Sequence, residues 1–65
     1  MGKISIRAAR VSANLTLKEV SKHTGISEYT LAKYEKGDSQ PRWDTFMTLC
    51  NLYNQSINDV FIPSK

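Results

Sequence analysis

Apolar residues recur along this chain at helical spacing, and the breaks between runs are marked by turn and cap residues. Ile4, Ile6, Ala9 and Ala13 fall near one face of a helix while Lys3, Arg7 and Arg10 take the others, which predicts a first helix from about Ser5 to Ser12. Asn14 tolerates the left-handed conformation that ends it. Thr16-Leu17-Lys18-Glu19 has the form of a capping box: the Thr16 hydroxyl accepts from the Glu19 amide and the Glu19 carboxylate accepts from the Thr16 amide, so a second helix starts at Leu17. That helix is short, because Gly25 supplies a left-handed turn residue and Ser27 at once offers a new N-cap. The third helix begins at Glu28, whose charge suits a helix N-terminus, and ends at Gly37 with Lys36 near its C-terminal dipole. Asp38-Ser39-Gln40-Pro41-Arg42 reads as a loop. Trp43, Phe46, Met47, Leu49, Cys50 and Tyr53 then give a fourth, strongly apolar helix to about Tyr53. Ser56-Ile57-Asn58-Asp59 has the form of a weaker capping box ahead of Val60, Phe61 and Pro63, so a fifth helix of little more than one turn is expected, with no competing strand pattern.

Five short helices in 65 residues make one all-α domain over residues 1–65, since a chain this size supports a single core. With 40% hydrophobic and 23% charged residues the composition is globular. Packing must hold that core: Cys50 is the only cysteine and His23 the only histidine, which leaves neither a disulfide nor a zinc cluster, and no metal or cofactor is expected. Trp43, Phe46 and Phe61 are expected in the core beside Cys50, and His23 at a surface helix end. One His, one Cys and scattered carboxylates do not assemble a nucleophile, a base and an orienting group, so the chain reads as a non-enzyme. No apolar run approaches the roughly 20 residues of a membrane span, and the start lacks a signal-peptide stretch, so a cytoplasmic protein is expected. Gly2 lacks the hydroxyl residue that an N-myristoylation pattern wants, Ile6 standing in its place. The net charge of +3 is uneven: residues 1–36 carry seven Lys/Arg against three Glu, and the remainder two against three Asp. A polyanion would be drawn to the first half, although many inert domains carry a similar excess.

Two short helices joined through Thr24-Gly25-Ile26 could let the first brace on a DNA backbone while the second enters a major groove, although the spacing alone fits any helical hairpin. Taking Leu31 as the inward direction and stepping about 100° per residue puts Tyr29 and Lys33 almost opposite. Lys36 and Ala32 flank them, Glu28 stands at the leading edge, and Tyr34 and Glu35 return toward the core. Lys33 has the donor chemistry for guanine O6 and N7, Glu28 the acceptor for cytosine N4, and Tyr29 either packs on a thymine methyl or hydrogen-bonds a phosphate. Each has a plainer reading: Glu28 as a dipole-stabilising first helical residue, Tyr29 packed against Lys33, and Lys33 and Lys36 as solvated charges.

Beyond that geometry, the run Leu15-Thr16, Glu19-Val20, Gly25-Ile26-Ser27, Leu31, Tyr34-Glu35-Lys36-Gly37 and Pro41 resembles the Cro/repressor helix-turn-helix family of phage and bacterial transcriptional regulators. Ile6-Arg7, Arg10 and the closing Ser56 to Phe61 extend the likeness to nearly the whole chain. The resemblance implies a five-helix bundle of the lambda-repressor type with helices two and three as the helix-turn-helix, binding a double-stranded operator as a repressor or other regulator. It implies base contacts from Glu28, Tyr29 and Lys33, and backbone contacts from Thr16, Lys18, Ser27, Lys36, Ser39, Gln40 and Arg42. It also implies a structural ion pair between Arg10 and Glu35, and a homodimer on DNA meeting through Arg42, Trp43 and the region of Ile57, Asn58 and Phe61. The family usually carries Gln where this chain has Leu17, and a small apolar alanine where it has Ser21; Lys18 is placed to supply what Leu17 cannot. Leu17 also keeps a second reading open, in which the same fold serves as an antitoxin or adaptor that holds a partner protein.

Overall fold

A computed structural model describes residues 3–64; the expectation at Gly2 and the ends of the 1–65 domain lie outside the described residues. Four helices and a two-stranded sheet follow in the order β1 (Ile4–Ser5), α1 (Ile6–Ser12), α2 (Leu17–Thr24), α3 (Glu28–Lys36), α4 (Trp43–Leu52) and β2 (Val60–Phe61). Each of the first three helices starts where a side chain satisfies an amide that the helix leaves unpaired. Ser5 accepts from Ala8 N at 3.1 Å, Thr16 and Glu19 form the reciprocal capping box, and Ser27 accepts from Thr30 N at 3.1 Å. Left-handed residues follow the helices: Asn14 (φ 60°), Gly25 (φ 77°), Gly37 (φ 82°) and Asn54 (φ 59°).

The core takes one stripe from each helix: Ile6 and Ala9 of α1, Val20 of α2, Leu31 of α3, and Phe46, Leu49 and Cys50 of α4, closed by Tyr53 and Val60. Burial of Leu31 and Leu49 is nearly complete at 2% and 1% exposure, so truncating either to alanine would cost about 2–5 kcal/mol. Trp43 and Phe61, expected inside, stand 63% and 42% exposed, and of the three aromatics only Phe46 is buried. The reasons are local. Trp43 is the first residue of α4, and Phe61 follows the buried Val60 in a strand, where successive side chains point to opposite faces.

The expected fifth helix is not formed, and a strand stands in its place. Ser56 accepts from Asn58 N at 3.3 Å, two residues on, and its carbonyl accepts from Asp59 N at 2.9 Å, which makes a turn rather than a capping box. The turn delivers Val60 and Phe61 into a parallel pairing with Ile4 and Ser5, and Asp59 O accepts from Lys3 N at 2.8 Å and Ile4 N at 3.0 Å. A β-branched residue and an aromatic, with Pro63 just beyond, suit a short strand better than an isolated helical turn. The chain then crosses the end of α3: a Cβ on Gly37 would meet Pro63 O at 2.6 Å, and Gln40 Nε2 donates to that same carbonyl at 3.3 Å.

Candidate nucleic-acid interface

Helices α2 and α3 meet through Gly25, Ile26 and Ser27. Thr24 stiffens the turn by donating its hydroxyl to Val20 O at 2.8 Å while accepting from Ile26 N at 3.2 Å. Val20 and Leu31 anchor the two helices to the common core, and Ile26 packs against it between them. Position and tilt of α3 are thus fixed by packing, and its outer side chains are left to solvent.

Those side chains form an exposed polar face. Tyr29 is 73% exposed, Glu28 is exposed beside the α3 N-terminus, and Lys33 is half-buried with its ammonium 5.3 Å from the centre of the Tyr29 ring. A cation at that distance over an aromatic face is attracted by about 0.5–1 kcal/mol at an exposed site. Tyr29 and Lys33 therefore present one preorganised unit that carries a hydroxyl and an ammonium. Ala32 stands half-buried beside them and leaves room for close approach.

Of the residues expected at a phosphate backbone, several already have work within the fold. Thr16 accepts from Glu19 N at 3.1 Å, and its amide donates to Glu19 Oε1 at 2.9 Å; that contact holds the Glu19 carboxyl below its usual range. The Ser27 hydroxyl caps α3 and donates to Thr30 Oγ1 at 2.9 Å. The Gln40 amide nitrogen is taken by Pro63 O, and Ser39 is half-buried. Lys18 and Lys36 are exposed. Arg42 is exposed as well: its one ion pair among the described residues is with Asp44 at 4.0 Å, with both side chains 80% or more exposed. A pair so open contributes little and leaves the guanidinium available.

Arg10 and Glu35 stand apart from this face and tie α1 to α3. Arg10 Nε donates to Glu35 Oε2 at 2.7 Å and Nη2 to Oε1 at 3.3 Å, while Nη1 donates to Leu15 O at 2.7 Å. The two side chains are 12% and 10% exposed. The hydrogen bond to Glu35 raises the Arg10 pKa further, against the opposing effect of burial. Tyr53, in the core nearby, is pushed up to about 12, chiefly by burial and then by the Glu35 charge. Among the described residues no group of three His, Cys, Asp or Glu could hold a metal ion, and no helix is long and apolar enough to cross a membrane.

A second exposed feature lies on α4 and β2. Gln40, Pro41, Trp43, Phe46, Phe61 and Ile62 line an open concavity of mixed polar and apolar character, with the Trp43 and Phe46 ring centres 5.9 Å apart. Of the expected dimer residues, Trp43 and Phe61 line this surface and Arg42 and Asn58 are exposed, whereas Ile57 is half-buried against the core in the turn before β2.

A family model described as a helix-turn-helix domain matches residues 4–61. Over 51 residues, 78% of this chain and 40% of the relative, the sequence is 37% identical to the HTH-type transcriptional regulator ImmR of Bacillus subtilis. Over 57 residues, 88% of this chain and 80% of the relative, it is 30% identical to an uncharacterized HTH-type transcriptional regulator of Archaeoglobus fulgidus. The chain thus spans well under half of the Bacillus relative's length and most of the archaeal one's. No solved structure matches it.

Proposed function

The chain belongs to the helix-turn-helix domain family, and from that premise we propose that it is a DNA-binding transcriptional regulator, acting as a repressor, that lays α3 in the major groove of an operator. One observation carries the reading. The Glu28, Tyr29 and Lys33 face is exposed and polar on a helix whose opposite side is locked into the core, and Tyr29 and Lys33 hold each other in place rather than serving the fold. Lys33 donates to guanine, Glu28 accepts from cytosine N4, and Tyr29 steadies Lys33 while its hydroxyl reaches a base edge or phosphate. Arg42, Lys18 and Lys36, with Thr16, Ser27, Ser39 and Gln40, set the register on phosphates. The protein works by binding rather than catalysis, in the cytoplasm or nucleoid where its target lies.

The Trp43 and Phe61 concavity is the surface for a second copy, giving a homodimer on DNA and a two-fold operator. The exposed Trp43 and Phe61 side chains are also the one observation that favours a second reading, an adaptor or antitoxin that uses them to hold a different protein. Selection of bound duplexes from a random pool, followed by titration across salt concentrations, separates the two. A regulator enriches a related set of sequences and loses affinity steeply with salt, whereas an adaptor binds every duplex equally weakly.

A further inference from the structure

A groove apart from the Trp43 concavity is lined by Arg7 and Arg10 of α1, Leu17 at the first position of α2, and Ala32, Glu35 and Lys36 of α3. The Arg10 charge is committed to Glu35. What remains at the rim is Arg7 and Lys36, both exposed, and neither forms an ion pair with a carboxylate among the described residues. Leu17 and Ala32, both half-buried, give the groove an apolar floor. Ala32 and Lys36 are one helical turn apart on the same side of α3, so the groove opens alongside the face that carries Tyr29 and Lys33.

Two cations at the rim and an apolar floor match a ligand that carries charge on one edge and hydrocarbon on the other. A nucleic-acid backbone has this character, with its anionic phosphates and the C–H surface of its sugars. The geometry points to Arg7 as a DNA-backbone contact which, with Lys36, clamps a phosphate of the strand flanking α3 while the adjoining sugar packs on Leu17 and Ala32. This rests on the DNA-binding reading above and extends it to α1. It also changes the meaning of Leu17: the side chain supplies no hydrogen bond to phosphate, and Arg7 and Lys36 supply the charge around it.

The test is a fluorescence-anisotropy titration of a selected duplex and a scrambled one across a salt series, with wild type, Arg7→Ala, Arg7→Lys and Leu17→Glu. Circular dichroism melts accompany each protein. One lost phosphate contact removes the release of about 0.9 counterion, so Arg7→Ala weakens binding roughly fifteen-fold near ~50 mM salt and about four-fold near ~200 mM, with a correspondingly shallower salt slope. The loss is the same on both duplexes, and Arg7→Lys keeps the wild-type slope. Leu17→Glu places an acid on the floor at a helix N-terminus that favours its charge, so binding falls, and its melt reads separately what is lost where Leu17 packs against the core. Arg7→Ala or Leu17→Glu binding with wild-type affinity and slope, while wild type still discriminates the selected duplex, overturns the clamp and leaves the regulator reading standing. Wild type without salt-dependent duplex binding overturns both.

Discussion

Arg10→Ala removes three hydrogen bonds at once, two to Glu35 and one to the carbonyl of Leu15. It leaves the Glu35 carboxylate, 10% exposed, without its counter-charge. Stranding one partner of a buried pair costs about 3–5 kcal/mol, because the remaining charge keeps its desolvation penalty and loses its compensation. A domain of this size has a total stability of roughly 3–10 kcal/mol at about 0.05–0.15 kcal/mol per residue, so the substitution removes between a third and all of it. Each kcal/mol shifts the midpoint of a small domain by about 4–8 °C, which puts the expected fall in Tm at about 12 °C or more, or abolishes the cooperative transition. Far-UV circular dichroism of thermal and urea unfolding reads this directly, with the urea slope as a check that the two-state description holds. A companion variant, Arg10→Met with Glu35→Leu, removes both charges together and is expected to recover most of the loss, since neither desolvation penalty remains. An Arg10→Ala midpoint within about 4 °C of wild type, under 1 kcal/mol on the same scale, would refute the assignment of the pair as a structural tie. A double variant as unstable as the single one would show that the loss came from packing or the Leu15 carbonyl instead of the stranded charge.

Three further outcomes follow from other parts of the molecule. Gly25→Ala meets open space and is expected to cost only the strain of a left-handed backbone, about 1–2 kcal/mol, whereas Gly37→Ala adds a collision with Pro63 O and must lower Tm further; equal losses would show that residue 63 is not held there. Burial raises the Tyr53 pKa to about 12 from an unfolded value near 10, so the neutral form contributes stability that is complete below pH ~10 and is lost as pH rises through about 12. That is about 3 kcal/mol of alkaline sensitivity, and Tyr53→Phe should flatten the melting-versus-pH curve in this window relative to wild type. On DNA, Lys33→Ala is expected to relax preference at one base pair by about 1–3 kcal/mol while Arg42→Ala weakens all duplexes alike, and exchange of those phenotypes in binding titrations would reverse the assigned roles.

Three of the four helices were legible because each carries its own capping chemistry within a few residues, and α4, which has no side-chain cap, was legible from its apolar periodicity. Thr16-x-x-Glu19, Gly25 followed by Ser27, and Glu28 to Gly37 are local devices that need no knowledge of the rest of the chain. The first helix differed by one residue, because Ser5 caps it and does not join it. The C-terminal strand was hidden for the opposite reason. Its partner lies at Ile4 and Ser5, almost the whole chain away, and two residues are too few to show an alternating pattern. Ser56 to Asp59 then carried a helical signal that its tertiary surroundings overrode. At the interface, stepping around α3 from Leu31 found the outward direction of Tyr29 and Lys33, but not that Lys33 lies over the Tyr29 ring. Arg7 could not be singled out, since its relation to Lys36 exists only once α1 has docked beside α3.

The parallel ladder also sets how the domain bears tension. The chain passes through β1 near its beginning and β2 near its end, and the two strands run in the same direction. A pull applied through the flanking polypeptide therefore drags them past each other along their length, so their hydrogen bonds are loaded together in shear rather than peeled apart one after another. Behind that ladder the segment reaching Pro63 is seated on Gly37, at the tip of α3. Force arriving from the C-terminal side is thus met first by the contact at Gly37 and by the two-residue ladder, before it reaches the helical core.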